Sequence, residues 1–261
     1  MKGFKWWATT VMVILVLIPG AASATGIEMS VGVWNQDPKG DLSFRALSVQ
    51  DNLSIRDNLG FGDSTRVFGR IKIDTPLFFP NVYLMATPME FTGTGTKDVD
   101  FQFGDVTFNG NVPFTSELKL DHYDVGFYYG IPGLNLATAG ILNVDLGLGA
   151  RIVDFKARVT GQDTVSGLTV TQTESATVPV PLLYLGIQVK PVKWLAVEGE
   201  ARGITYGSNY YFDISGRAKI KPFGPLFAAA GYRYEKIKID TNDAKAEASI
   251  GGPFGEIGVE F

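Results

Sequence analysis

The chain is predicted to be all-β, an up-and-down antiparallel transmembrane β-barrel of about ten strands, with eight and twelve the neighbouring even counts. Three observations predict it. Successive segments alternate apolar and polar residues with period two. Beyond the N-terminal segment, nothing approaches the ~20 continuous apolar residues that a transmembrane helix needs. The connections alternate between short proline-marked turns and longer polar loops. A chain that crosses lipid without helices must satisfy its backbone polar groups between strands, and only closure removes the open edges.

The N-terminus is read separately from the barrel. Lys2 and Lys5 precede an apolar run from Val11 to Ile18, Pro19-Gly20 breaks the run, and Ala22-Ser23-Ala24 supplies small residues at a cleavage site. Residues 1–24 therefore read as a secretory signal, leaving 25–261 as one barrel domain. An uncleaved anchor over residues 6–24 is the competing reading, and the Pro-Gly break directly before a cleavage triplet argues against it. The chain has 23 basic and 27 acidic residues, a formal net charge of −4. Losing the two signal lysines takes the barrel to about −6. No basic patch points to nucleic acid. The absence of cysteine excludes disulfides, thiolate chemistry and Cys-based metal sites.

Each strand has its own justification. Residues 27–36 set Ile27, Met29, Val31 and Val33 against Glu28, Ser30 and Gly32. Residues 65–75 set Val67, Gly69, Ile71 and Ile73 against Phe68, Arg70, Lys72 and Asp74. A third strand spans 81–92, and the fourth ends with Tyr123, Val125, Phe127 and Tyr129 opposite Asp124, Gly126 and Tyr128. The fifth has the cleanest alternation, from Leu142 to Ile152 against Asn143, Asp145, Gly147, Gly149 and Arg151. The sixth, 178–190, opposes Leu183, Leu185, Ile187 and Val189 to Tyr184, Gly186, Gln188 and Lys190.

In the seventh, Leu195, Val197 and Ala201 oppose Glu198, Glu200 and Arg202. The eighth opposes Phe212, Ile214, Ala218 and Ile220 to Asp213, Ser215, Arg217 and Lys219. The ninth opposes Ala228, Ala230, Tyr232 and Tyr234 to Ala229, Gly231, Arg233 and Glu235. The tenth is terminal, with Ile257, Val259 and Phe261 on one face and Gly258 and Glu260 on the other.

Proline ends ladder pairing by removing an N–H, and it marks the turns at 75–81, 131–133, 190–193 and 221–225. The links between them run at about 37–64, 93–113 and 157–177, with short ones near Gly207-Ser208-Asn209 and Thr241-Asn242-Asp243. Short turns on the periplasmic side and longer loops outside are the asymmetry of a membrane barrel. Phe78, Phe79, Tyr128, Tyr129, Trp194, Phe223, Phe227 and Phe261 gather near the proline turns and read as an interfacial aromatic girdle. A secreted soluble sandwich has no need of such a girdle.

On these features the chain resembles small bacterial outer-membrane β-barrels, the broad class containing OmpA- and OmpW-like proteins. The resemblance spans residues 25–261 and rests on signal, dyad repeat, proline turns and the terminal Phe261. That class often has glycine five residues before the final aromatic, where this chain has Glu256, with Gly255 one earlier. The resemblance implies an integral, porin-like protein of a Gram-negative outer membrane, exported through the periplasm. It also implies contact with outer-membrane lipids and lipopolysaccharide, and recognition of the C-terminal strand, with Phe261 as insertion signal, by the barrel-assembly machinery. No cofactor or metal is expected.

Candidate chemistry is sparse. His122 is the only histidine, and its parity puts it on the lumen face with Asp124. A carboxylate beside a strand-borne histidine is an arrangement used by barrel enzymes such as omptin-type proteases, lipid A deacylases and outer-membrane phospholipases. The competing reading, a hydrogen-bonded lumen histidine, fits better because no serine-bearing lipase motif accompanies it. Leu118 and Leu120 share its parity, which predicts a bulge upstream.

Glu198, Glu200, Arg217, Lys219, Arg233 and Glu235 fall on lumen faces of neighbouring strands, with Glu256 and Glu260 beyond. Mixed signs predict a salt-bridge plug, a charged pore constriction being the alternative. In the first long loop, Leu53, Leu59 and Phe61 are expected to fold over the mouth, and Asp51, Asp57 and Asp63 lack the spacing of a calcium loop. Residues 99–108 should form a hairpin continuing strands three and four, with Phe101 and Phe103 covering the mouth or meeting a partner.

Pro179 and Pro181 both withhold donors from one neighbouring strand, so a lateral seam short of ladder bonds is expected there. The overall expectation is a structural barrel, or one that passively handles a small solute or lipid-like molecule, and not an enzyme. A narrow or laterally opening channel and a barrel hydrolase using His122 and Asp124 are the alternatives.

Overall fold

The computed structural model describes residues 26–44, 51–76, 79–240 and 244–261, so the proposed signal lies outside the described residues, as do Phe78 and the 241–243 turn. The strands are β1 (Gly26–Phe44), β2 (Leu53–Ser54), β3 (Ser64–Asp74), β4 (Asn81–Thr87), β5 (Glu90–Gly95), β6 (Phe101–Phe103), β7 (Val106–Phe108) and β8 (Phe114–Gly130). A one-turn helix α1 (Leu134–Ala137) follows, then β9 (Leu142–Gln162), β10 (Thr169–Val192), β11 (Leu195–Tyr206), β12 (Asn209–Phe223), β13 (Leu226–Asp240) and β14 (Ala244–Glu260). No described helix is long and apolar enough to cross a membrane.

Sequential antiparallel pairing closes when β14 meets β1, from Glu28 opposite Glu260 to Phe44 opposite Ala244. The result is a closed barrel of ten strands, in which β4 and β5 act as one strand interrupted at Pro88. The interruption is explained by proline's missing donor. Both halves keep the same register on β8, with Thr87 opposite His122 and Glu90 opposite Lys119.

Period-two alternation sorts the side chains as the pleat requires. Val67, Tyr123, Phe127, Leu148, Leu183 and Ile257 stand exposed on the outer wall, while the charged residues of the same strands are buried inside. The exposed girdle comprises Phe79, Tyr129, Trp194, Phe223 and Phe261. Tyr128 and Phe227 do not belong to it. Both are buried on the lumen side, where Tyr128 donates to Asp74 at 3.0 Å and Phe227 lies 5.3 Å from the Lys219 ammonium. Their parity, opposite to that of Tyr129 and Leu226, overrides their closeness to a turn.

The segments expected as outer loops are largely strand. β1 continues through 37–44 on β14, and β9 and β10 stay paired from Leu142–Val189 up to Gln162–Thr169, leaving only 163–168 as the turn. Hydrophobic alternation fades there because neither face meets lipid, yet the β-branched run Thr169-Val170-Thr171 still favours extended backbone. β6 and β7 form a two-stranded sheet of their own and do not extend the barrel strands. The bulge expected upstream of His122 is absent on the β9 side, where register runs unbroken from Thr115–Thr160 to Gly130–Asp145. Leu118 is inward and apolar because it joins the core that fills the mouth.

Candidate functional site: the filled lumen

Two materials fill the barrel, apolar at the mouth and ionic below. At the mouth, the segment 53–61 and the β6–β7 hairpin lie across the opening. Leu53, Ile55, Leu59 and Phe61 are buried with Phe101, Phe103 and Phe108. Phe101 sits 4.9 Å from Phe114 between ring centroids, and Phe103 meets Phe44 edge-on at 5.2 Å. The Ser116 hydroxyl donates to the Leu59 carbonyl at 2.7 Å, and the Gln102 amide donates to Asp51 at 2.9 Å. The fit against the wall is close: a Cβ on Gly95 would stand 1.6 Å from the Asn58 carbonyl oxygen. Phe101 and Phe103 thus cover the mouth from inside and present no face to solvent.

Among the three loop acids, Asp57 is bonded to Ser54 at 3.1 Å and Asp63 to Arg56 at 2.8 Å. Among the described residues no cluster of acids and histidines has metal-binding geometry.

Beneath this core the outer ionic tier centres on Arg151 and Asp213. Arg151 is fully buried and holds Asp124 through two bonds of 2.5 Å. It also reaches the Tyr211 hydroxyl at 2.5 Å and Asp213 at 2.6 Å. Asp213 accepts from Arg202 at 3.0 Å and from Arg233 at 2.8 Å. Arg233 pairs with Glu235 at 2.6 Å and lies over the Trp34 ring at 4.7 Å. Arg202 lies over the Tyr83 ring and donates to its hydroxyl; its 2.5 Å bond to Glu200 ties this tier to the next.

The lower tier, at the proline-turn end, comprises Glu28, Arg70, Lys72, Glu198, Glu200, Arg217, Lys219, Glu256 and Glu260. Arg217 donates to Glu198 at 2.7 Å and to Glu28 at 2.7 Å, and it also pairs with Glu256. Lys219 meets Glu28 at 2.8 Å, Glu198 at 2.7 Å and Glu260 at 2.8 Å. Arg70 bridges Glu28 at 2.9 Å, Glu256 at 3.2 Å and Glu200 at 3.3 Å, and Lys72 pairs with Glu200 at 2.5 Å. Charges buried this deeply persist only when paired and hydrogen-bonded. Below them a vestibule of about 320 Å³ opens toward the proline turns, bounded by Glu28, Lys72, Asp145, Glu198, Glu200 and Glu260.

The six residues singled out for the ionic cluster all lie in this interior. Glu198, Glu200, Arg217 and Lys219 sit in the lower tier, and Arg233 and Glu235 in the upper. Arg233 reaches Asp213 and Glu235, not the β11 glutamates. Arg151, Asp213, Arg202, Arg70 and Glu28 are equally central and were missed as site residues, and Asp124, expected beside His122, belongs instead to this network. Their lumen parity was legible, but contacts such as Arg151–Asp213 cross the lumen between strands that are not neighbours.

His122 and Asp124 share the lumen face without acting as a pair. The His122 Nδ1 lies 3.1 Å from the Leu120 carbonyl oxygen, which can only accept, so that nitrogen carries the proton. Nε2 points at Glu235 at 3.3 Å, with Arg233 at 3.5 Å, and the ring is 2% exposed. Asp124 is occupied by Arg151.

Around Pro179 and Pro181 the β9 ladder is continuous, with Pro179 opposite Ile152 and Pro181 opposite Ala150. Pairing between β10 and β11 ends at Leu183 opposite Gly203.

No family model and no curated relative matches the sequence. Solved structures do match in shape. The outer membrane protease OmpT from Escherichia coli superposes with a TM-score of 0.59 at 8% identity, over 95% of this chain and all of that one. The translocator domain of the autotransporter NalP from Neisseria meningitidis gives 0.42 at 10% identity, over 97% and 93% of the two chains. The toluene transporter TodX from Pseudomonas putida gives 0.28 at 8%, over 92% and 91%. Identity this low speaks for architecture alone. With its apolar outer wall and closed ten-stranded sheet, the chain has the fold of an integral bacterial outer-membrane β-barrel.

Proposed function

We propose that this protein is a sealed structural barrel of the outer membrane that conducts no solute. One observation carries the reading: the two ionic tiers are joined through Arg202 and cross the whole lumen, with charges of both signs bonded to one another. A conducting constriction needs unpaired charge or open polar space for ions to traverse. Here the described interior charges are spent on neighbours, and the mouth is covered by a packed aromatic core. The vestibule is bounded by Glu28, Lys72, Glu198, Glu200 and Glu260 of the lower tier.

A hydrolase reading finds no support in the His122 geometry. The nitrogen that would act as base is buried between Arg233 and Glu235, and its would-be orienting acid is held by Arg151. Lipid and lipopolysaccharide around the wall, and the assembly machinery at the C-terminal strand, complete the proposed set of partners.

Planar-bilayer recording on refolded full-length protein tests the proposal. Flat baselines at both polarities are expected, and reproducible unitary steps would overturn it. Lipid A and phospholipid profiles of overexpressing cells should match controls.

A further inference from the structure

The apolar core that covers the mouth is one-sided. Its members come from β1, the loop segments, β3 to β10 and β14, and none from β11, β12 or β13. On that empty arc and the two strands beside it, the inward residues above the ionic floor are Ile204 on β11, Ile237 on β13, Val178 and Val180 on β10, and Val153 on β9. Alternation from Arg151, Tyr184, Arg202 and Arg233 puts them on the inner face. All five keep solvent exposure, and Val178 is 47% exposed. Tyr211, whose hydroxyl bonds to Arg151 and Glu235, and Asp213 close the bottom. The outer lumen therefore contains an apolar half-cup with a charged, sealed floor.

The wall of this cup loses its ladder pairing at the same place. Continuing the register past Leu183–Gly203 would put Pro181 opposite Thr205 and Val180 opposite Tyr206, yet these residues do not pair, while β11 stays paired with β12 out to Tyr206–Asn209. With the β9 ladder intact, the donors missing from Pro179 and Pro181 fall on the β11 side. The depth of the gap follows from β9. The first outward charges above the apolar belt are Asp121 and Asp154, which face each other, and Asp154 lies opposite Thr177. Both prolines pair below that level, with Ile152 and Ala150, whose neighbours Leu148 and Leu146 are exposed to lipid. The gap thus opens at the depth of outer-leaflet hydrocarbon.

An apolar cup, an opening at acyl-chain depth and a sealed floor have one fitting occupant. We propose that a single acyl chain of an outer-leaflet lipid enters sideways between β10 and β11 and lodges against Val180, Ile204 and Ile237. The floor makes this a binding site and not a passage, so it goes beyond the sealed-barrel reading without contradicting it. Water is released from exposed aliphatic side chains as the chain enters, which supplies the driving force.

The test uses the full chain refolded into phosphatidylcholine vesicles that carry a diazirine-bearing palmitic acid. After photolysis and peptide mapping, labels are expected on inward Val178, Val180 and Ile204 as well as on outward Leu183 and Ile214. The Val180→Trp, Ile237→Trp double variant should lose the inward labels and keep the outward ones. A Pro181→Cys, Thr205→Cys variant, in a chain with no other cysteine, should lose inward labelling when oxidised and regain it when reduced. Labels confined to outward residues in the unaltered protein, or equal inward labelling of the oxidised and reduced forms, would overturn the proposal. Conductance is a separate readout, so a failure of the sealed-barrel reading would be seen as current steps whatever the labelling pattern.

Discussion

Replacing Arg151 with methionine tests most directly whether the lumen is held by paired charge. Among the described residues Asp124 draws its ion pair from Arg151 alone, through two 2.5 Å bonds, and it is 5% exposed. Asp213 loses Arg151 too, but keeps Arg202 at 3.0 Å and Arg233 at 2.8 Å. The variant therefore strands one buried carboxylate. Removing one partner of a buried ion pair costs about 3–5 kcal/mol. Asp124→Leu alone should cost less, because Arg151 retains Asp213 and the Tyr211 hydroxyl. The double variant Arg151→Met, Asp124→Leu removes both charges together and should recover most of the loss, leaving a coupling of about 2–3 kcal/mol. Urea unfolding of protein refolded into vesicles, followed by tryptophan fluorescence and extrapolated linearly, measures all four species. A cost below about 1 kcal/mol for Arg151→Met, or a double variant equal to the sum of the singles, would refute this account of the ionic floor.

Other outcomes follow from the same geometry. Phe101→Ala empties the centre of the aromatic cover and should cost about 3 kcal/mol of local stability; limited proteolysis should then cut within 96–113, with the barrel left intact. His122→Ala should leave membrane insertion unchanged and change stability by about 1–2 kcal/mol at most; any lipid- or peptide-cleaving activity lost in that variant would reverse the non-catalytic reading. In the exposed β9–β10 turn, the Ser166 hydroxyl and the Ser166 and Val165 amides hold the Asp163 carboxyl below its ordinary range. A lowered folded pKa stabilises the turn above the unfolded value of about 3.9 and is lost as pH falls through the folded one. The Asp163 carboxyl resonance should therefore titrate at lower pH than in a free peptide, and Ser166→Ala should move it back up.

Much of the architecture was legible because a strand presents its environment every second residue. Val67 and Arg70 reveal the two faces of β3 without any knowledge of its partners. What failed to read out depends on more than period. Tyr128 and Phe227 were misplaced when nearness to a turn was weighed above parity. The strand extensions at 37–44 and 169–177 escaped because a paired strand above the membrane has no reason to alternate. The knot around Arg151 and Asp213 escaped for a different reason. Which residues meet across a lumen depends on barrel diameter and strand stagger, and neither is written in any local segment. Glu256, a departure from the expected glycine, accepts from Ser30 at 2.8 Å and pairs with both Arg70 and Arg217.

The unequal height of the hairpins has a practical consequence at the cell surface. β11 and β12 turn back at Gly207-Ser208, but β9 and β10 continue together past Asp154 to Gln162. At ~3.3 Å per residue and a strand tilt of roughly 40°, that stretch lifts the Asp163–Gly167 turn roughly 20 Å above the first outward charges. A tip so far from the bilayer is where antibodies, phage or an exogenous protease would first touch this molecule. Asp163 and Thr164 are tied to Phe108 and Thr107 of the covering hairpin, so Val165–Gly167 is the stretch where a foreign peptide can be displayed with the least disturbance to the barrel.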